Sequence, residues 1–198
     1  MNNLKNKKIA MIISFRDFRD EEYFVPKDIL KEAGVEIKNV STQKGTAIGA
    51  DGGEVEIDLL ISEINIAEFA DLQSKSSHDS IQSISSFDAV VFIGGPGALK
   101  YLDNEDSYRV AKETVLQQKV IAAICISPVI LAKAGVLEGK QATVWSSPMD
   151  RESVRTLKDY GAVYQNVPVV IDGKIITGNG PAAAKEFAEA IIMLLTEI

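Results

Sequence analysis

The chain has 198 residues, one cysteine, one histidine, one tryptophan, and a formal net charge of −7 from 21 basic and 28 acidic side chains. One cysteine excludes an internal disulfide framework and a zinc site built from several Cys and His. The acidic balance argues against a nucleic-acid surface, which needs clustered Lys and Arg.

The length and apolar content suit a globular protein with one full core, so a single domain over residues 1–198 is expected. The basic start, MNNLKNKK, leads into a short apolar run and then RDFRDEE, with no small-residue cleavage site. The longest apolar stretch, residues 120–132, contains Ser127 and Pro128 and is too short to span a bilayer. These features predict a cytoplasmic protein with no membrane partner and a reduced thiol.

In chain order, residues 9–14 (IAMIIS) form a continuous apolar run, as expected of a strand buried on both faces. Residues 21–33 carry Phe24, Val25, Ile29, Leu30 and Ala33 at helical spacing, and Gly34 closes that helix. Residues 35–41 alternate as a strand. The Gly-rich, polar stretch 42–53 reads as a turn region, and 54–60 (EVEIDLL) as a strand in a hairpin. Ile66, Phe69, Ala70 and Leu72 suggest a short helix ahead of a solvated loop, SKSSHDS. A second buried strand, 87–93 (FDAVVFI), ends at Gly94-Gly95-Pro96-Gly97. A helix over 107–118 precedes the third buried strand, 120–124 (VIAAI). Further helices are expected over 128–134, 151–160 and 182–197, and strands over 142–145, 169–171 and 174–177.

Buried strands separated by helices imply an α/β fold: a mostly parallel sheet with helices on both faces. Function in such sheets collects at loops after the carboxyl ends of strands, here after Ser14, Ile93 and Ile124. Cys125 stands at such a point, between a buried strand and a helix that Pro128 is suited to begin. A nucleophile on that turn is displayed above the sheet, and the N–H groups of the next helix are expected to lower its pKa. The Gly94–Gly97 turn lets backbone approach a ligand closely. It lacks the GxGxxG spacing of a dinucleotide site, and no cofactor or metal is expected.

These pieces together resemble the DJ-1/PfpI superfamily, related to class I glutamine amidotransferase domains. The resemblance rests on EEYFVPKDILKEAGVEI (21–37), FDAVVFIGGPGA (87–98), VIAAICISPVILAKAGVLEGKQAT (120–143) and VVIDGKIITGNGPAAAKEFAEAII (169–192). It implies a flavodoxin-like three-layer sandwich, often a homodimer or higher homo-oligomer, with the cysteine on a strained nucleophile elbow. It further implies Cys125 as the reactive thiol and Glu22, four residues before Pro26, as the carboxylate beside it. Glu21 and Asp20 adjoin Glu22 as alternatives. The N–H groups of Gly95 and Ile126 match oxyanion-hole positions, and Trp145, Gly180 and Pro181 match pocket-lining ones.

The chain departs from the family where other branches place a histidine. Ile126 follows the cysteine, and Trp145-Ser146-Ser147-Pro148 follows the later strand. The one histidine, His78, lies in the SKSSHDS loop. The reading that follows is a cysteine-dependent hydrolase or lyase, of glyoxalase, deglycase or hydrolase type. It would act on small carbonyl or acyl-type substrates by Cys-Glu chemistry. A non-enzymatic oxidative-stress sensor is the alternative, and an intracellular peptidase a weaker one.

Overall fold

A computed structural model describes residues 4–65, 82–83 and 86–198. The helix expected near residue 66 and the loop carrying His78 lie outside the described residues. The chain begins with β1 (Lys8–Ile12), β2 (Arg16–Phe18), α1 (Asp20–Glu32), β3 (Glu36–Ser41), β4 (Gly45–Gly49), β5 (Glu54–Ile57) and β6 (Leu59–Leu60). Two short strands follow, β7 (Ile64–Asn65) and β8 (Gln82–Ser83), then β9 (Ala89–Phe92), α2 (Ala98–Tyr101) and α3 (Glu105–Leu116). Next come β10 (Val120–Ile124), α4 (Pro128–Lys133), β11 (Gln141–Ala142), α5 (Glu152–Asp159) and β12 (Val163–Tyr164). β13 (Val169–Asp172), β14 (Ile175–Gly178) and α6 (Ala184–Thr196) end the chain.

Seven strands form the central sheet in the order β13-β14-β10-β9-β1-β3-β6. All neighbours are parallel except β13, which pairs antiparallel with β14. This is the flavodoxin-like three-layer α/β sandwich. The continuous apolar runs are the central strands, where every residue of β9 and β10 is buried. Alternation along them divides the core in two. Ile9, Met11, Val91, Ala122 and Ile124 pack with Tyr23 and Leu30 of α1 and Phe187 and Ile191 of α6. Ala10, Ile12, Val90, Phe92, Ile121 and Ala123 pack with Val110 of α3, Leu131 of α4 and Leu157 of α5. Helices cover both faces because both faces of each central strand are apolar.

The stretch read as a turn, residues 42–53, contains β4, which pairs antiparallel with β5 from Gly45↔Ile57 to Ile48↔Glu54. β2 joins β4 to complete a second, three-stranded sheet. The run 54–60, expected as one strand, is divided: β5 serves this small sheet and β6 the central one. The small sheet matters for the site because its β4–β5 loop folds back onto the start of α1. Both Asp20 carboxylate oxygens accept hydrogen bonds from that loop, from the N–H of Asp51 (2.8 Å) and of Gly53 (2.6 Å).

The strand order places β3 and β9 on opposite sides of β1. The crevice at such a switch of direction is where open α/β sheets bind ligands. No helix among the described residues is long and apolar enough to cross a membrane.

Candidate active site

The loops after β1, β9 and β10 meet above the carboxyl ends of the strands. Cys125 follows β10 directly with φ 65°, a left-handed conformation that costs an L-residue roughly 1–2 kcal/mol. Surrounding hydrogen bonds hold it there. Its N–H donates to the Gly178 carbonyl at 2.9 Å, and its carbonyl accepts from the Trp145 N–H at 2.8 Å. One residue on from Ile126, the buried Ser127 hydroxyl donates to the Ile93 carbonyl at 2.8 Å. The turn at Cys125 is therefore tied to the ends of β9 and β14 and to the loop carrying Trp145. Cys125 itself is half-buried.

Three acids stand in the first turn of α1, and the fold gives each different surroundings. Asp20 is engaged by the β4–β5 loop. Glu21 is exposed. Glu22 is fully buried and faces the Cys125 thiol. Neither Glu22 oxygen closes a hydrogen bond of ordinary length and angle among the described residues. Gly94 makes this approach possible: a Cβ there would lie 2.5 Å from the Cys125 Cβ and 2.7 Å from Glu22 Oε2. Gly95, at φ 114°, would drive a side chain into the backbone between Asp17 and Arg19. The backbone N–H groups of Gly95 and Ile126 both face the sulfur.

Burial raises the Glu22 carboxyl from 4.5 to about 7. Its contacts with Cys125, Arg19 and the Gly94 N–H oppose that rise, and Glu21 adds to it. The Cys125 thiol is also pushed up, first by burial, then by the charge and the close polar contact of Glu22; the N–H groups of Gly95 and Ile126 work against this. The expected lowering of the thiol by a helix N-terminus is therefore not found. The helix α4 has only six residues, and desolvation of the thiolate outweighs the N–H groups that face it. Two acids share one buried space, so ionisation of either opposes ionisation of the other.

The site opens into a cavity of about 260 Å³ lined by Arg19, Gly95, Pro96, Leu99, Cys125, Ile126 and Trp145. Gly180 and Pro181 are not on this wall. Gly180, at φ 146°, adjoins Trp145: a Cβ there would stand 3.5 Å from the indole Cδ1. Arg19 was missed by sequence reasoning, because a charge within RDFRDEE resembles any solvated run. Among the described residues no cluster of His, Cys, Asp and Glu could hold a metal ion.

A profile of the DJ-1/PfpI family matches residues 7–194. An uncharacterized protein of Methanocaldococcus jannaschii is 36% identical over 96% of this chain and 83% of its own length. A deglycase of Pyrococcus horikoshii is 28% identical over 94% of this chain and 98% of its own. The crystal structure of a ThiJ/PfpI domain protein from Brachyspira murdochii superposes with a TM-score of 0.84 at 34% identity, covering 98% of this chain and 99% of that one.

Proposed function

This chain belongs to the DJ-1/PfpI family, and from that membership we propose that it is an enzyme whose Cys125 adds to small carbonyl or acyl-type electrophiles. The observation that carries the reading is the buried Glu22 carboxyl set against a cysteine in a left-handed turn, at the floor of a small apolar cavity. A carboxyl raised to about 7 exchanges its proton near neutral pH. When Glu22 holds the proton and Cys125 is the thiolate, the N–H groups of Gly95 and Ile126 stabilise the sulfur anion. The sulfur attacks the carbonyl carbon, the C–S bond forms, and the C=O π pair moves to oxygen. The oxyanion is held by backbone donors and takes its proton from Glu22. No histidine is needed for this addition. That a relative from Pyrococcus horikoshii is a deglycase supports an enzymatic reading.

Methylglyoxal turnover tests the reading. The wild type is expected to consume it, and Cys125→Ser and Glu22→Gln to fall to background. Equal background rates in all three would sink it.

A second reading is oxidation sensing. The same donors that face the sulfur, with a protonated Glu22, suit a sulfinate on Cys125. Peroxide treatment followed by intact-mass measurement would then give a discrete two-oxygen adduct at Cys125. Oxidation confined to methionines would argue against it.

A further inference from the structure

We propose that Arg19 is a specificity-determining residue that selects substrates whose carboxylate is bonded directly to the carbon that Cys125 attacks. This names a substrate class for the thiol-addition reading above and rests on it. Arg19 alone carries a charge among the described residues lining the cavity; the rest of the wall is backbone, apolar side chains, the thiol and an indole. Its charge reaches the bottom of the site, since it acts on Glu22. Opposite charges interact far more strongly beside such a surface than in water.

The backbone that carries Arg19 is fixed. Its N–H donates to the Gly94 carbonyl at 3.0 Å, and the neighbouring Phe18 carbonyl accepts from the Ala50 N–H at 2.8 Å. The guanidinium itself is loosely held. Its ion pair is with Asp51 at 3.5 Å, and the two side chains are 36% and 65% exposed. A pair of that kind contributes little and exchanges readily. Asp51 is held in place by the Asp20 carboxylate through its own N–H. The arrangement thus parks the guanidinium at the cavity mouth on a weak, exposed acid. An incoming carboxylate can displace that acid and take both N–H donors of the fork. Glu22, when protonated, offers no opposing charge from below. A 2-oxo acid of a few carbons meets these requirements, and its carbonyl carbon would stand between Cys125 and the Gly95 N–H.

Two electrophiles of nearly equal size test this in the full-length protein. Iodoacetate carries a carboxylate beside the reacting carbon, and iodoacetamide carries a neutral amide. With both, the Cys125 sulfur forms a bond to carbon and iodide leaves. The ratio of their rate constants cancels the reactivity of the thiol. In Arg19→Gln the iodoacetate-to-iodoacetamide ratio is expected to fall by at least about tenfold, the order expected for a lost charge-assisted contact. Asp51→Asn, which releases the guanidinium, is expected to raise it. Lys185→Gln, on the exposed side of α6 with a side chain 77% exposed, controls for net charge and leaves the ratio unchanged. Ratios for wild type and Arg19→Gln that agree within about twofold would overturn the role of Arg19 while leaving the thiol reading intact. A Cys125 inert to both reagents, together with no methylglyoxal turnover, would overturn the thiol reading itself.

Discussion

Glu22→Gln tests the buried carboxyl through stability alone. The folded protein raises this group from 4.5 to about 7 because the ionised form is desolvated. Between those values the folded state holds a proton that the unfolded state releases, so stability falls as pH rises. The protonated carboxyl's advantage is complete below about 4.5 and lost above about 7. At about 1.4 kcal/mol per pH unit, the wild type loses about 3 kcal/mol across this window. The side chain is fully buried, so solvent screening does not reduce the figure. Glutamine is neutral throughout and escapes the loss. Any penalty for burying its amide shifts both ends of the curve equally, leaving the slope to carry the argument. Urea denaturation at several pH values between 4 and 9 measures it. With an m-value of roughly 2 kcal/mol/M, the midpoint difference between variant and wild type should grow by roughly 1.5 M from acid to alkaline pH. Repeating the pair in Cys125→Ala isolates the burial effect from the thiol. Parallel wild-type and variant curves would refute a desolvated, raised carboxyl at Glu22.

Two further predictions concern the supports of the site. Gly94→Ala places a Cβ 2.5 Å from the Cys125 Cβ and 2.7 Å from Glu22 Oε2. It should cost about 1–3 kcal/mol in chemical denaturation and slow Cys125 alkylation; full stability with unchanged alkylation would contradict the packing described. Asp20→Ala removes the acceptor of the Asp51 and Gly53 N–H groups. It should cost about 1–2 kcal/mol, since the contact is partly exposed. Amide exchange should speed up at those two residues, and unaltered protection there would count against this tie.

The central sheet could be read from the sequence because β1, β9 and β10 are apolar on both faces and stand out as unbroken runs. The small sheet could not. In β4 only Ala47 and Gly49 are buried, and glycines stand at both ends, so it looks like a turn until β5 pairs with it. Cys125 is marked locally, by a buried strand before it and a proline after it. Glu22 becomes distinguishable from Asp20 and Glu21 only through contacts with residues more than thirty or a hundred positions away. Arg19 depends on the same distant loop. The direction of the thiol's shift was hidden for a related reason: the burial of the sulfur and its closeness to Glu22 depend on distant parts of the chain, not on local pattern.

A site without a histidine beside its cysteine must move its proton another way, and the Cys125–Glu22 pair predicts how. In the wild type, ionised Glu22 is one of the causes that push the thiol up. Glutamine removes that charge, so the thiol should ionise at lower pH in Glu22→Gln, and the alkaline rise of iodoacetamide alkylation should move to lower pH. The same variant has no proton to give to an oxyanion, so its turnover of methylglyoxal should fall. A residue that merely packed against the cysteine would move both readouts in one direction. Faster alkylation with lost turnover is the signature of a carboxyl that holds the proton and delivers it. If alkylation stays on the wild-type profile while turnover survives, Glu22 neither charges the thiol's surroundings nor serves the reaction, and the proton must travel by another route.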